Sequence, residues 1–223
     1  MPSDFSFPPH RSETIHATPR AFGLYAHGTK RALDIVLICL AAPFVAPIVL
    51  ILAGLVALDG HNPFYHQPRI GRGGRIFTMW KLRTMVPDAD GRLACFLDEN
   101  ADARHEWDCT QKLKHDPRIT RFGCFLRKAS LDELPQLWNV IRGDMSLVGP
   151  RPMMPQQQPL YPGTAYYRLR PGLTCLWQIS DRNACSFAAR ADFDTRYERI
   201  LSLRTDIAIL FATVAVVLRG TGY

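Results

Sequence analysis

No two cysteines stand at a metal-binding or redox-motif spacing. The six, at positions 39, 95, 109, 124, 175 and 185, form no Cys-x-x-Cys. That excludes the common zinc and dithiol motifs and favours reduced thiols in a cytosol-facing protein over a disulfide framework. The first residues hold no apolar core of the signal-peptide kind. The glycines between 71 and 74 match neither a dinucleotide fingerprint nor a Walker loop. No nucleic-acid motif or clustered basic helix is present, so no nucleic acid is expected as a partner. Acid is the scarcer charge: 20 Asp and Glu stand against 27 Lys and Arg, a net charge of +7. That sign predicts anionic partners, either phosphorylated substrates or an anionic membrane surface.

What the chain does have is one long apolar run. Residues 32–58 carry a single charged side chain, Asp34. As one straight helix the run would be ~40 Å long, enough to cross a hydrocarbon core of ~30 Å. Two features predict that it dips in and returns. Pro43 and Pro47 sit in the middle, where proline breaks or bends a helix. Both flanks are basic, with Lys30 and Arg31 before the run and Arg69, Arg72, Arg75, Lys81 and Arg83 after it. Basic flanks prefer the cytoplasm, and a single crossing cannot place both there. The competing reading, a buried core helix, fits poorly with so few polar residues.

Phe64-Tyr65 and Ile76-Phe77 flank the glycine-rich turn and predict a β-hairpin. Residues 87–115 are polar and predict helices over 88–97 and 100–114 with solvated faces. Residues 192–218 predict helix, with Leu203, Ile207, Leu210, Phe211, Val214, Val217 and Leu218 on one apolar stripe. That stripe reads equally as core or as an interfacial helix lying on a membrane.

The richest chemistry lies between 118 and 152. Asp132 and Glu133 are adjacent carboxylates among the cations Arg127, Lys128, Arg142 and Arg151. Such a cluster suits phosphate chemistry: cations grip the substrate, one carboxylate attacks phosphorus, and either holds a divalent metal. A structural reading competes. Leu131, Leu134, Trp138 and Ile141 recur at helical spacing and predict a buried helix face. Ser130 with Glu133 resembles a capping box, although Pro135 would then lie too deep in the helix. With Asp132 as N-cap, Pro135 falls in the first turn, where its missing N–H costs little. On spacing alone, capping and catalysis both stand.

Residues 126–137, Leu-Arg-Lys-Ala-Ser-Leu-Asp-Glu-Leu-Pro-Gln-Leu, and 145–152, Met-Ser-Leu-Val-Gly-Pro-Arg-Pro, resemble two long motifs of the bacterial sugar transferases. These are monotopic phosphoglycosyl transferases of exopolysaccharide and glycoconjugate synthesis, and the resemblance extends over residues 28–223. It implies an α-rich α+β fold. A re-entrant membrane helix hairpin over 28–60, bent at Pro47, would follow a disordered tail over 1–27. A compact cytosolic catalytic domain over 61–223 would carry the β-hairpin and C-terminal amphipathic helices.

The resemblance further implies that Asp132 is a nucleophile forming an aspartyl-phosphosugar. Glu133 would bind Mg²⁺ together with Asp132 or activate the lipid phosphate. Lys81, Arg83, Arg127 and Arg151 would hold phosphates. The implied partners are a UDP-sugar, undecaprenyl phosphate and membrane lipids, with a homodimer allowed, at the cytosolic face of a bacterial inner membrane. Three departures from the family pattern stand out. Ala46 precedes Pro47 where serine is frequent, and Cys175 and Asp181 replace glycines. The last two are the basis for an alternative reading, a membrane-associated scaffold of the same fold with weakened catalysis.

Overall fold

A computed structural model of the protein describes residues 25–110, 113, 115–180 and 187–218. Residues 1–24 of the tail expected over 1–27, Asp181 and the end of the helix expected over 100–114 lie outside the described residues; residues 25–27 of that tail are helical. A π-helical turn, Tyr25–Thr29, leads into α1, Lys30–Ala57. Pro43 and Pro47 both lie inside α1. Neither can donate to the carbonyl four residues before it, so the backbone ladder is interrupted twice in the middle of the helix. By length and composition α1 can cross a membrane, with a mean hydropathy of 3.0 over its most apolar window and 11% of that window buried.

The two ends of α1 are fastened to the same body. Near the N-terminus, Arg31 donates to the carbonyls of Val140 and Ile141. Asp34 accepts from Ser146 Oγ at 2.7 Å and Leu147 N at 3.2 Å. At the other end, Leu52, Ala53 and Val56 pack with Leu82 and Leu126. Between them Leu40, Phe44, Ile48, Leu50 and Ile51 face outward, Phe44 with 75% exposure.

The predicted hairpin is present. Strand β1, Phe64–Ile70, pairs antiparallel with β2, Ile76–Leu82, in register from Phe64↔Leu82 to Ile70↔Ile76. Helices α2, Ala89–Glu99, and α3, Ala101–Thr110, follow in the polar stretch. Helix α4, Arg121–Lys128, leads through a 3-10 turn, Leu131–Glu133, to α5, Gln136–Arg142. Strand β3, Ser146–Val148, pairs parallel with β4, Gly172–Thr174, across a connection that contains the single turn α6, Ala165–Arg168. The backbones come so close beyond β3 that a Cβ on Gly149 would stand 2.2 Å from Arg170 O, and one on Gly172 2.1 Å from Gly149 N. Only glycine permits that approach, and it fixes where Arg151 leaves the strand.

The C-terminal stretch is two helices rather than one: α7, Arg190–Ile200, and α8, Leu203–Leu218. Ser202 separates them and accepts from Thr205 N at 3.2 Å, a short polar side chain capping a helix start. On α8, Leu203, Ile207, Phe211 and Val214 are exposed while Asp206 and Ile209 are buried. Those four stripe residues face away from the core, while Leu210 packs against it. The main core gathers Ile38, Met79, Val140, Met145, Val148, Leu176, Tyr197 and Ile209, so α1, β2, α5, β3, α7 and α8 share one interior.

The central motif departs from both capping readings. Ser130 makes no side-chain cap, stands at φ 55, and is followed by the 3-10 turn; Pro135 directly precedes α5. The predicted buried face is also rotated. Trp138 and Ile141 are exposed, whereas Gln136, Asn139 and Val140 are buried. Asn139 explains the rotation. It accepts from Trp80 N at 3.1 Å and donates to Thr78 O at 2.7 Å, taking the place of a neighbouring strand on the free edge of β2. A buried amide satisfied on both sides outweighs the contact of two apolar side chains.

Candidate active site

Two tethers set the site. Asn139 pins α5 to β2, and α4 reaches the segment just after β2 through Arg127, whose Nε donates to Thr84 Oγ1 at 2.9 Å. The 3-10 turn between α4 and α5 is thereby held against the inner face of β2. Its entry residue, Ser130, is one of two described non-glycine residues with a left-handed backbone. That conformation is unfavourable for serine and is held by the packing on either side.

Asp132 and Glu133 leave this turn and converge on Lys81 of β2. Lys81 Nζ stands 2.8 Å from Glu133 Oε1 and 3.6 Å from Asp132 Oδ2. Asp132 is 6% exposed. Burial raises its carboxyl above the ordinary aspartate range, with Lys81 opposing that effect and the Glu133 charge adding to it. Glu133 goes the other way. Burial would raise it, but Lys81, Arg151 and Arg69 outweigh that and bring it down to about 2. Adjacent carboxyls are thus set apart, one more basic than usual and one firmly ionised, which suits two different roles.

Glu133 and Lys81 open on a cleft lined also by Arg69, Gln136, Arg151, Gly172 and Leu173, and Asp132 lies 3.6 Å from Lys81 beside it. Arg151 also stands 5.9 Å from the Trp177 ring. Arg127 feels the Asp132 charge, while burial lowers its own pKa. Lys81, Asp132, Glu133, Arg127 and Arg151 are therefore gathered in one place. Arg83 is engaged elsewhere: its guanidinium grips Asp59 at 2.6 and 2.8 Å and donates to the carbonyls of Asn62 and Val56. It ties the end of α1 to the hairpin. Arg142 pairs with Asp144 at 3.6 Å.

Sequence reasoning gave Gln136 and Asn139 no role and Arg69 only a place in the basic flank of the apolar run. Gln136 stood inside the quoted motif, but its direction depends on the 3-10 turn and Pro135, which spacing does not disclose. Cys175 is not among the positive-φ residues, so its replacement of glycine introduces no left-handed strain. Its thiol is buried, which pushes it up to about 12 and leaves it un-ionised.

Among the described residues no group of three or more His, Cys, Asp or Glu converges as a metal site. Asp132 and Glu133 offer hard carboxylate oxygens, and magnesium commonly takes one or two carboxylates and completes its shell with water and substrate phosphates. The donor set fits that ion.

Residues 25–220 match the family model described as Bacterial sugar transferase. The chain is 48% identical over 195 residues to the UDP-galactose-lipid carrier transferase of Erwinia amylovora, covering 86% of this chain and 41% of that protein. It is 47% identical over 197 residues to the exopolysaccharide production protein ExoY of Sinorhizobium fredii, covering 87% of each. It is 45% identical over 195 residues to the undecaprenyl-phosphate galactose phosphotransferase of Salmonella typhimurium, covering 86% of this chain and 41% of that protein. The chain thus spans less than half of two of these relatives and most of the third.

Proposed function

The chain belongs to the bacterial sugar transferase family, and from that premise we propose that it transfers hexose-1-phosphate from a UDP-sugar to undecaprenyl phosphate, releasing UMP. The donor sugar is galactose or glucose, and the step opens exopolysaccharide assembly. The observation that carries this reading is buried Asp132 and half-buried Glu133 sharing Lys81 at the edge of a cation-lined cleft.

The reaction has two displacements. Asp132 attacks the sugar-side phosphorus of the donor. A carboxylate-oxygen–phosphorus bond forms, the bridging phosphorus–oxygen bond breaks, and UMP leaves with the bridging oxygen. A phosphate oxygen of undecaprenyl phosphate then attacks the same phosphorus and frees Asp132, giving the lipid diphosphosugar. Ionised Asp132 is required, and Lys81 favours that form against burial. Lys81, Arg127 and Arg151 balance charge on the transferring phosphoryl group. Mg²⁺, held by Asp132 and Glu133, would add a further positive charge next to the donor phosphates.

The acceptor is a lipid, so the site must lie at a membrane. Two features support a re-entrant α1 with the body on the cytosolic face. Both of its ends are fastened to one body, and its outward apolar middle contains Pro43 and Pro47, with Pro47 as the bend. The exposed stripe of α8 supports an interfacial helix beside it.

The test is UMP release from a panel of UDP-sugars with undecaprenyl phosphate. Wild type is expected to turn over a hexose donor, and Asp132→Asn to be silent while still partitioning to membranes. Full turnover by that variant would refute the nucleophile.

A further inference from the structure

Two polar side chains in the cleft hold donors with no hydrogen-bond partner among the described residues. Gln136 is 2% exposed, and its Nε2 is unpaired. Arg69 Nε is buried and unpaired as well. The rest of that guanidinium is fixed: Nη1 donates to Pro152 O at 3.0 Å and Nη2 to Gln67 Oε1 at 2.6 Å. Arg69 is therefore held rigidly with one face unused.

Both residues line the cleft that contains Lys81, Glu133 and Arg151. Buried donors are ordinarily satisfied, and an orphan is costly. Two orphans in one cleft call for a ligand rich in acceptor oxygens. The charge balance agrees. Arg69, Lys81 and Arg151 all act on Glu133, and the like charges of Arg69 and Arg151 lie near enough to perturb each other. A further anion relieves that repulsion. Gln136 sits three residues after Glu133, just past Pro135, so one turn of chain presents the carboxylate and the amide to the same space.

We propose that Gln136 and Arg69 are donor-binding residues, with the amide N–H of Gln136 and the ε N–H of Arg69 donating to diphosphate oxygens of the nucleotide sugar beside Arg151. This rests on the transferase reading. It adds two residues to the machinery and gives the orphan donors an acceptor. Lys81 and Arg127 then serve the phosphorus under attack, while Arg69, Gln136 and Arg151 hold the diphosphate in line.

The test uses the full-length protein in detergent and two readouts. Gln136→Leu keeps the approximate size of the side chain and removes the orphan donor. A purely structural glutamine predicts unchanged kinetics. The proposal predicts an unchanged or higher Tm with KM for the UDP-sugar raised about tenfold or more, the scale of one lost hydrogen bond to a charged oxygen. Arg69→Lys, which keeps the charge and loses the ε N–H, is expected to behave similarly. The second readout needs no turnover. Inorganic pyrophosphate is expected to raise the Tm of wild type, and both variants to lose most of that shift. If Gln136→Leu matches wild type in KM and in the pyrophosphate shift while Asp132→Asn is silent, the proposal fails and the transferase reading stands. If wild type turns over no donor yet its pyrophosphate shift depends on Gln136, the diphosphate cradle stands and the assigned reaction falls. No pyrophosphate shift in wild type overturns the cradle.

Discussion

Asp206 and Asp132 are aspartates of nearly equal burial, at 2% and 6% exposure, and their surroundings differ in kind. Asp206 accepts from Tyr25 Oη at 2.7 Å, Lys30 Nζ at 2.5 Å and Tyr197 Oη at 2.6 Å. Its acceptor sites are occupied by the protein, and the bonds join the start of α1 to α7 and α8. Asp34 completes that region with Ser146 and Leu147. Asp132 meets Lys81 at 3.6 Å, beyond hydrogen-bond distance, and Lys81 lines the cleft next to it. A carboxylate held by three side-chain donors is a fastening. One that is kept ionised by charge at a distance retains lone pairs for a reaction.

The largest expected contrast comes from removing each charge. Asp132→Asn is expected to lower turnover by at least about 10⁴-fold with unchanged or slightly higher stability, since a buried carboxylate with few partners is lost. Urea unfolding and UMP release measure the two. Asp206→Ala is expected to do the reverse, costing about 3 kcal/mol by leaving half-buried Lys30 without its partner. Its turnover per folded molecule should be retained. Equal losses of stability in the two variants would break the comparison.

A smaller effect sharpens it. Lys81 lowers the pKa of both Asp132 and Glu133. In wild type the acid limb of kcat/KM, which reports ionisation of Asp132, is expected above the ordinary aspartate value of 3.8. Lys81→Met should move that limb to higher pH and reduce kcat, whereas Lys30→Met should leave the limb in place. A pH–rate profile in mixed buffers decides this.

The smallest effect concerns a third buried acid. Burial raises Asp194 from 3.8 to about 7 despite donation from Tyr161 and the nearby Arg190 charge. The folded protein therefore binds more protons than the unfolded chain between about pH 4 and 7, and stability falls as pH rises through that window. Asp194→Asn retains an acceptor for Tyr161 and should flatten the dependence of Tm on pH there. An unchanged slope would assign it to other groups.

Local patterns disclosed the parts with local causes. The hairpin followed from two apolar strand segments around a glycine turn, and the apolar helix from its composition. The acid pair among cations was visible as spacing alone. What spacing could not disclose was direction. Trp138 and Ile141 fit a buried stripe and face outward, because Asn139 bonds the distant edge of β2. Arg83 and Arg127 look alike in the chain, yet one closes on Asp59 and the other stands near Asp132. The break at Ser202 was hidden inside continuous helical periodicity.

The amino-acid order alone settled which chemistry is available: an apolar run with two prolines, a basic surplus, and Asp132 beside Glu133. Local propensity and charge decide these, and both are written residue by residue. Tertiary packing alone decided which acid is held by three side-chain donors and which has only Lys81 at 3.6 Å. That depends on donors supplied from far along the chain, with Lys81 about fifty residues from Asp132 and Tyr25 and Asp206 181 positions apart. It also rotated Gln136 into the cleft, an orientation set by contacts between α5 and β2 that no neighbouring residue encodes.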